Sequence, residues 1–451
     1  MKRIDNRVFY RNVISIAMPI ALQSLIGSSL SLIDNLMVGS LGEVELAAVG
    51  AGIQVFFLHW MLLFGFNGGA AAFNAQFWGA GSLENIRKVV GFVLKVSLAL
   101  GFVFFTVTNL FPEQIMKVFS EDERVIELGA QYMRIGSPCF LLLSVTQPFV
   151  VALRATQQPK LPLAISVTAL IANTCLNYIL IFGKLGLPRL ETEGAALATV
   201  LARLIEMSLI LFVVFGKKNI LSGRFSEFVH GDRSLSLAIV RKSLPTTANE
   251  FLWGLGQTMY MSAIGHISVT AYAAAQASHT IENMFVLAGF SLGDAALILL
   301  GAKLGEDRVD EVKLEAKKFT RLAFAVGLVA GLLLILCARP LTGLFDFTDE
   351  GRMYAVRILI VYGIIMCVNL YNGTMVTGVL RGGGDTVFAA VSEVGTVWLI
   401  GVPLGFLGAL VWELPVYIVV ALICTEQLVK AVILTCRARS GKWANNIVKN
   451  I

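Results

Sequence analysis

The sequence predicts an all-α integral membrane protein: twelve transmembrane helices in two six-helix bundles related by a parallel repeat, with a central cavity between the lobes. Three observations lead there. First, 56% of the residues are hydrophobic, only 15% are charged, and the mean hydropathy is +0.76, whereas a soluble domain carries about 25% charged residues. Such a chain has too little polar surface to face water. Second, apolar runs long enough to cross a hydrocarbon core, about 20 residues each, recur about twelve times. Third, the two halves of the chain match when one is shifted by 226 residues.

The runs are 14–38, 47–77, 90–111, 128–152, 161–183, 193–215, 238–264, 271–302, 318–338, 354–380, 386–408 and 413–436. GSLGEVE, between the first two, is short and makes them a tight hairpin. The first run has no small-residue cleavage site after it, so it is expected to be retained. Lys and Arg gather in alternate loops. One side takes Lys2, Arg3, Arg7 and Arg11, then Arg87 and Lys88, then Arg154 and Lys160, and later the set from Lys303 to Arg321. The other side is sparser and more acidic, as in FSEDERVIE. This bias places both termini in the cytoplasm. It also accounts for the net charge of +6 without a nucleic-acid partner, which would need the excess on one soluble face.

In the repeat, Pro19 falls on Pro245, Gly39 on Gly265, Ala47 and Ala48 on Ala273 and Ala274, and Gly79 on Gly305. After a slip of one residue, Gly136 falls on Gly363 and Leu153–Arg154 on Leu380–Arg381. Six spans, an even number, start both halves on the same side of the membrane. The expected division is an N-terminal lobe at 1–215, a cytoplasmic linker at 216–237 and a C-terminal lobe at 238–451. Duplicated bundles of this kind typify secondary transporters, with the binding site between the halves near the midplane.

Polar residues inside the spans are the functional candidates, because a charge there costs roughly 3 kcal/mol or more and is kept for a purpose. Asp34 lies in SLIDNLMVG, near the end of the first span. Asn173 and Asn177, four apart, share a helix face. Together with Thr199 and Asp34 they could supply oxygens to a small hard cation such as sodium, or Asp34 could carry a proton. The alternative is structural: Asp34 hydrogen-bonds a neighbouring helix and the asparagines hold helices together. In the second half Glu250 follows Pro245, a residue that frees backbone carbonyls inside a span. Glu250 is the candidate there for a proton or a cationic substrate. Glu426 and Lys430, also four apart, read as a structural ion pair with the lysine snorkelling outward. Gln54, Trp253, Tyr260, Glu282, Asp294 and Tyr371 are candidates for the substrate cavity, the aromatic ones through cation–π contact.

Other chemistry finds little support. There is no GxxxxGK[ST] loop, HExxH or GxSxG. RGGGDT at 381–386 follows a span and reads as a tight cytoplasmic turn, not a dinucleotide loop. The six cysteines read as small buried apolar residues, and His59, His230, His266 and His279 form no metal motif.

Taken together, the two parallel six-helix halves, DNLMVGSLG after Asp34, LRGGGDT before the eleventh span and GAKLGE after the eighth resemble the multidrug and toxic compound extrusion (MATE) transporters over nearly the whole chain. That resemblance implies a monomeric, multi-pass protein of the cytoplasmic membrane that is not an enzyme and needs no cofactor. It would be an antiporter exporting organic cations, drugs or amphipathic metabolites, with sodium or protons as the coupling ion. It further implies a cation site at Asp34, Asn173, Asn177 and Thr199, although Asn177 stands where several members have Asp. It also implies a role for Glu250 as the acid of the seventh helix, while the acid of the tenth is missing, Asn369, Tyr371 and Asn372 standing there instead. Three alternatives remain open from the sequence: a flippase for lipid-linked precursors, an enzyme acting on a prenyl or lipid substrate, and a channel.

Overall fold

A computed structural model describes residues 6–229, 232–345 and 347–449; Lys2, Arg3 and His230 lie outside them. Every regular element among the described residues is helical. In order these are α1 (Asn6–Gly39), α2 (Glu43–Gly79), α3 (Leu83–Leu110), α4 (Pro112–Met116), α5 (Glu123–Gly136), α6 (Pro138–Ala155), α7 (Lys160–Phe182) and α8 (Glu191–Leu211). They continue with α9 (Phe225–Val229), α10 (Arg233–Gly265), α11 (Val269–Gly305), α12 (Val309–Thr342), α13 (Asp349–Gly373), α14 (Thr386–Thr396), α15 (Val402–Phe406) and α16 (Val416–Ser440). Wider π-helical turns extend α8 and α13 and join α14 through α15 to Val411.

Among the described residues, eleven helices are long and apolar enough to cross a membrane. The expected seventh span is α10, 33 residues long, too polar to qualify because of its run TTANE and Gln257. The repeat is visible in the boundaries: Glu43–Gly79 matches Val269–Gly305, and the starts at Leu83, Glu123 and Lys160 match Val309, Asp349 and Thr386. One expected span, 128–152, is broken. Ser137 and Pro138 separate α5 from α6, because proline has no N–H to continue the ladder. Its counterpart α13 has no proline and is continuous. Before the break, α5 begins cleanly, since the Asp122 side chain accepts from the amides of Arg124 and Val125, a standard N-cap.

The chain forms two compact units. One comprises Leu22–Ala70 and Ser82–Ala238, the other Met1–Ala21, Ala71–Gly81 and Ile239–Ile451. Thus the start of α1 and the end of α2 pack with the second half. In the first unit Val38, Val49, Tyr132, Ile181, Ala195 and Ala196 form a buried core, which fixes the end of α1 against α7 and α8. The segment read as a linker is packed too: Arg87 on α3 pairs with Glu227 on α9 at 2.7 Å and donates to the Ile220 carbonyl.

In the second unit the end of α2 meets the end of α11 backbone to backbone. A Cβ added at Gly79 would lie 1.7 Å from the Ala302 oxygen, and one at Gly305 would lie 1.8 Å from the Gln76 oxygen. The repeat mates Gly79 and Gly305 therefore permit this close crossing. RGGGDT is a turn, with Gly384 at φ +72°, but it is buried and not open to water. The segment after α16 covers it. Trp443 is 1% exposed. Fully buried Gln76 donates to the carbonyls of Gly382 and Asn445, both at 3.0 Å, and accepts from the Ile447 amide at 2.8 Å. Lys449 then pairs with Asp307. Of the cysteines, Cys139 is buried but Cys175 and Cys436 are exposed, so these two are not core residues.

Candidate functional site

Asp34 sits in the last turns of α1, beside α7. Asn173 and Asn177 are both fully buried, one turn apart on the same face. Asn177 Nδ2 donates to Asp34 Oδ1 at 2.5 Å and to Asn173 Oδ1 at 3.0 Å. Three of the four residues expected at the cation site are thus joined in one network. Thr199 is not linked to it by a hydrogen bond; its hydroxyl donates to the Ala195 carbonyl of its own helix.

Two features leave this network incomplete. Asn173 Nδ2 and Asn177 Oδ1 are buried without a hydrogen-bond partner, which is uncommon and marks a place where polar capacity is held in reserve. In addition, the nearest cation is already engaged. Arg203 lies within electrostatic range of Asp34, yet its Nη1 is 2.7 Å from Glu206 Oε2. Two carboxylates therefore face one guanidinium, an excess of one negative charge. Among the described residues no three His, Cys, Asp or Glu converge as a metal-ligand group. A cation here would be held by one carboxylate and by amide oxygens, a hard, weakly charged set suited to a monovalent ion. Turning an asparagine amide end for end presents its oxygen in place of its nitrogen, so one scaffold serves a protonated acid or a sodium ion.

The second-half candidates have different partners. Glu250 accepts from Arg381 Nη2; Arg381 is 3% exposed, so this acid is tied to a permanent cation. Trp253 and Tyr260 belong to the packed core of α10, α13 and α16. Tyr260 stands 226 residues after Asp34. The repeat therefore replaces the carboxylate with a phenol, whose Oη is buried without a partner. Glu282 is buried and accepts from Asn369 Nδ2 at 3.2 Å. Tyr371 Oη pairs with Thr435 Oγ1 at 2.7 Å. Asp294 is half-buried on α11 and Gln54 is exposed on α2.

Two partners escape the sequence reading. Arg381 reads from the sequence only as the start of the cytoplasmic turn RGGGDT and as the repeat mate of Arg154, which donates to Gln23 in the first half. Lys430 does not snorkel. It is 2% exposed, 3.2 Å from Glu426 and 3.9 Å from Glu393, so the Glu426–Lys430 pair points inward.

The sequence profile of the MatE family matches residues 19–179 and again 245–407, once in each half. The chain belongs to the MatE family. It is a membrane transporter and not an enzyme. Among curated relatives, the Bacillus subtilis (strain 168) probable multidrug resistance protein YoeA is 24% identical over 400 residues, covering 88% of this chain and 86% of that one. The probable multidrug resistance protein NorM of Rhizobium meliloti is 28% identical over 411 residues, with 84% of each chain covered. Among solved structures, an outward-facing multidrug resistance MATE transporter of the MOP superfamily superposes with a TM-score of 0.88 at 18% identity, covering 98% of this chain and all of that one. A MOP superfamily transporter from Pyrococcus furiosus gives 0.87 at 19% identity, with 95% of each chain covered. This MatE-family chain thus shares their twelve-helix, two-lobe fold.

Proposed function

We propose that this transporter exports organic cations, drugs or amphipathic metabolites by antiport, driven by inward flux of sodium or protons, with Asp34 as the exchanging group. The observation that carries this is the incomplete Asp34 network: a carboxylate held by a neutral amide, two orphaned amide atoms beside it, and one unbalanced charge. A monovalent cation completes it. An ion moves a conformational equilibrium only by its differential affinity for the two states, and a carboxylate with a neutral partner has the most to gain from one. The multidrug names of the relatives favour amphipathic substrates. The protein is proposed to act as a monomer in the cytoplasmic membrane with both termini inside, as the loop charges imply.

Purified protein in proteoliposomes loaded with a fluorescent organic cation tests this. An imposed sodium or proton gradient of the right sign should drive the dye uphill, and its collapse should stop transport. Equal rates with and without every ion gradient would contradict antiport.

A further inference from the structure

The unit containing Ile239–Ile451 buries a second set of charges. Arg381 binds Glu250. Asn249, 2% exposed, donates Nδ2 to Glu393 Oε2 at 2.7 Å. Lys430 lies 3.2 Å from Glu426 Oε2 and 3.9 Å from Glu393 Oε1, and Gln427 donates to Glu426 Oε1 at 2.8 Å. Three carboxylates thus share two cations. Glu250 has Arg381 and Glu426 has the nearer approach of Lys430, so the surplus falls on Glu393. Its Oε1 is too far from the ammonium for a hydrogen bond, and its Oε2 has only a neutral amide. The oxygen of that amide, Asn249 Oδ1, is itself buried without a partner.

The geometry points to Glu393 as a second ion-exchange group, one that takes up and releases a proton during the transport cycle. A proton suits the place better than a metal ion. Lys430, 3.9 Å from Glu393 Oε1, would repel a metal ion. The Glu393 side chain is 16% exposed, so it is not sealed inside the core. Protonated, Glu393 leaves Arg381–Glu250 and Lys430–Glu426 balanced. Deprotonated, it competes with Glu426 for Lys430 and draws α16 toward α14, so the ion is felt as a helix displacement. The charged groups around it are Glu250 on α10, Arg381 after α13, and Glu426 and Lys430 on α16. The inference rests on ion-coupled transport by this chain, but not on the role of Asp34.

Glu393→Gln keeps the volume of the side chain and balances the network, so it should fold. Proteoliposomes with equal sodium on both sides, an internal pH dye and ethidium as substrate give the protons moved per substrate. The expected result is one proton fewer in E393Q than in wild type, with Glu393→Asp retaining it. Infrared difference spectra of purified protein should show protonated-carboxyl intensity in wild type that falls in E393Q, over and above what Asp34→Asn removes, a signature that loss of packing would not produce. An unchanged proton count, a band of unchanged intensity, or failure of E393Q to accumulate in the membrane would each overturn the proposal. Normal coupling in Asp34→Asn would instead reject the Asp34 site and leave the Glu393 count to be judged separately.

Discussion

Gln76→Met removes three hydrogen bonds while keeping the length of the side chain. Gln76 holds Gly382, Asn445 and Ile447 at once, so it staples α2, the RGGGDT turn and the segment after α16 together. Two of the three bonds reach residues 441–449, so at roughly 1 kcal/mol net per bond that segment loses about 2 kcal/mol. It should appear as local opening of residues 441–449, because the rest of the unit keeps its own core. At about 1.4 kcal/mol per tenfold, opening should become roughly 30-fold more frequent. Hydrogen exchange followed by mass spectrometry reads this directly. The Ile447 amide, which donates to Gln76, and the Asn445 amide, which donates to the Gly383 carbonyl, should exchange roughly 30-fold faster. Protection equal to wild type at both amides would refute the staple.

Glu250→Gln should cost about 3–5 kcal/mol, since removing one partner leaves a buried charge uncompensated, and Arg381 is 3% exposed; the thermal midpoint in detergent should drop, and adding Arg381→Met should recover most of the loss. The contact of Lys449 and then Asn446 with Asp307 holds that carboxyl below its ordinary value of 3.8. A depressed value means that the contact stabilises the tail at every pH above the ordinary carboxylate range and is lost only as pH falls through the lowered one. Proteolytic protection of the tail should therefore be flat from neutral pH down to about 4 and fall beyond it; loss between pH 7 and 5 would contradict the pairing.

The fold was legible because its main signals are local. Run length marks the spans, and Pro19, Gly39 and Gly79 with their repeat mates mark the duplication. The i,i+4 spacing of Asn173 and Asn177 likewise puts both amides on one face, where Asp34 meets Asn177. What stayed hidden depends on which way a side chain turns and what lies far off in sequence. The spacing of Glu426 and Lys430 gives the pair but not its direction, and Glu393, 3.9 Å away, lies on another helix. Glu250 and Arg381 are 131 residues apart, and no local pattern joins them. No local pattern in KWANNIVK joins it to Gln76, whose buried amide captures it. The interruption at Ser137–Pro138 was readable in principle, but it was smoothed over by the apolar run on either side.

Counting cations moved per substrate in wild-type and Asp34→Asn vesicles, under controlled sodium and proton gradients, puts the exchanging carboxylate to the sharpest trial. The variant should fold, keep its Asn177 contact and move one monovalent cation fewer per substrate exported. A ratio identical to that of wild type would show that Asp34 exchanges nothing.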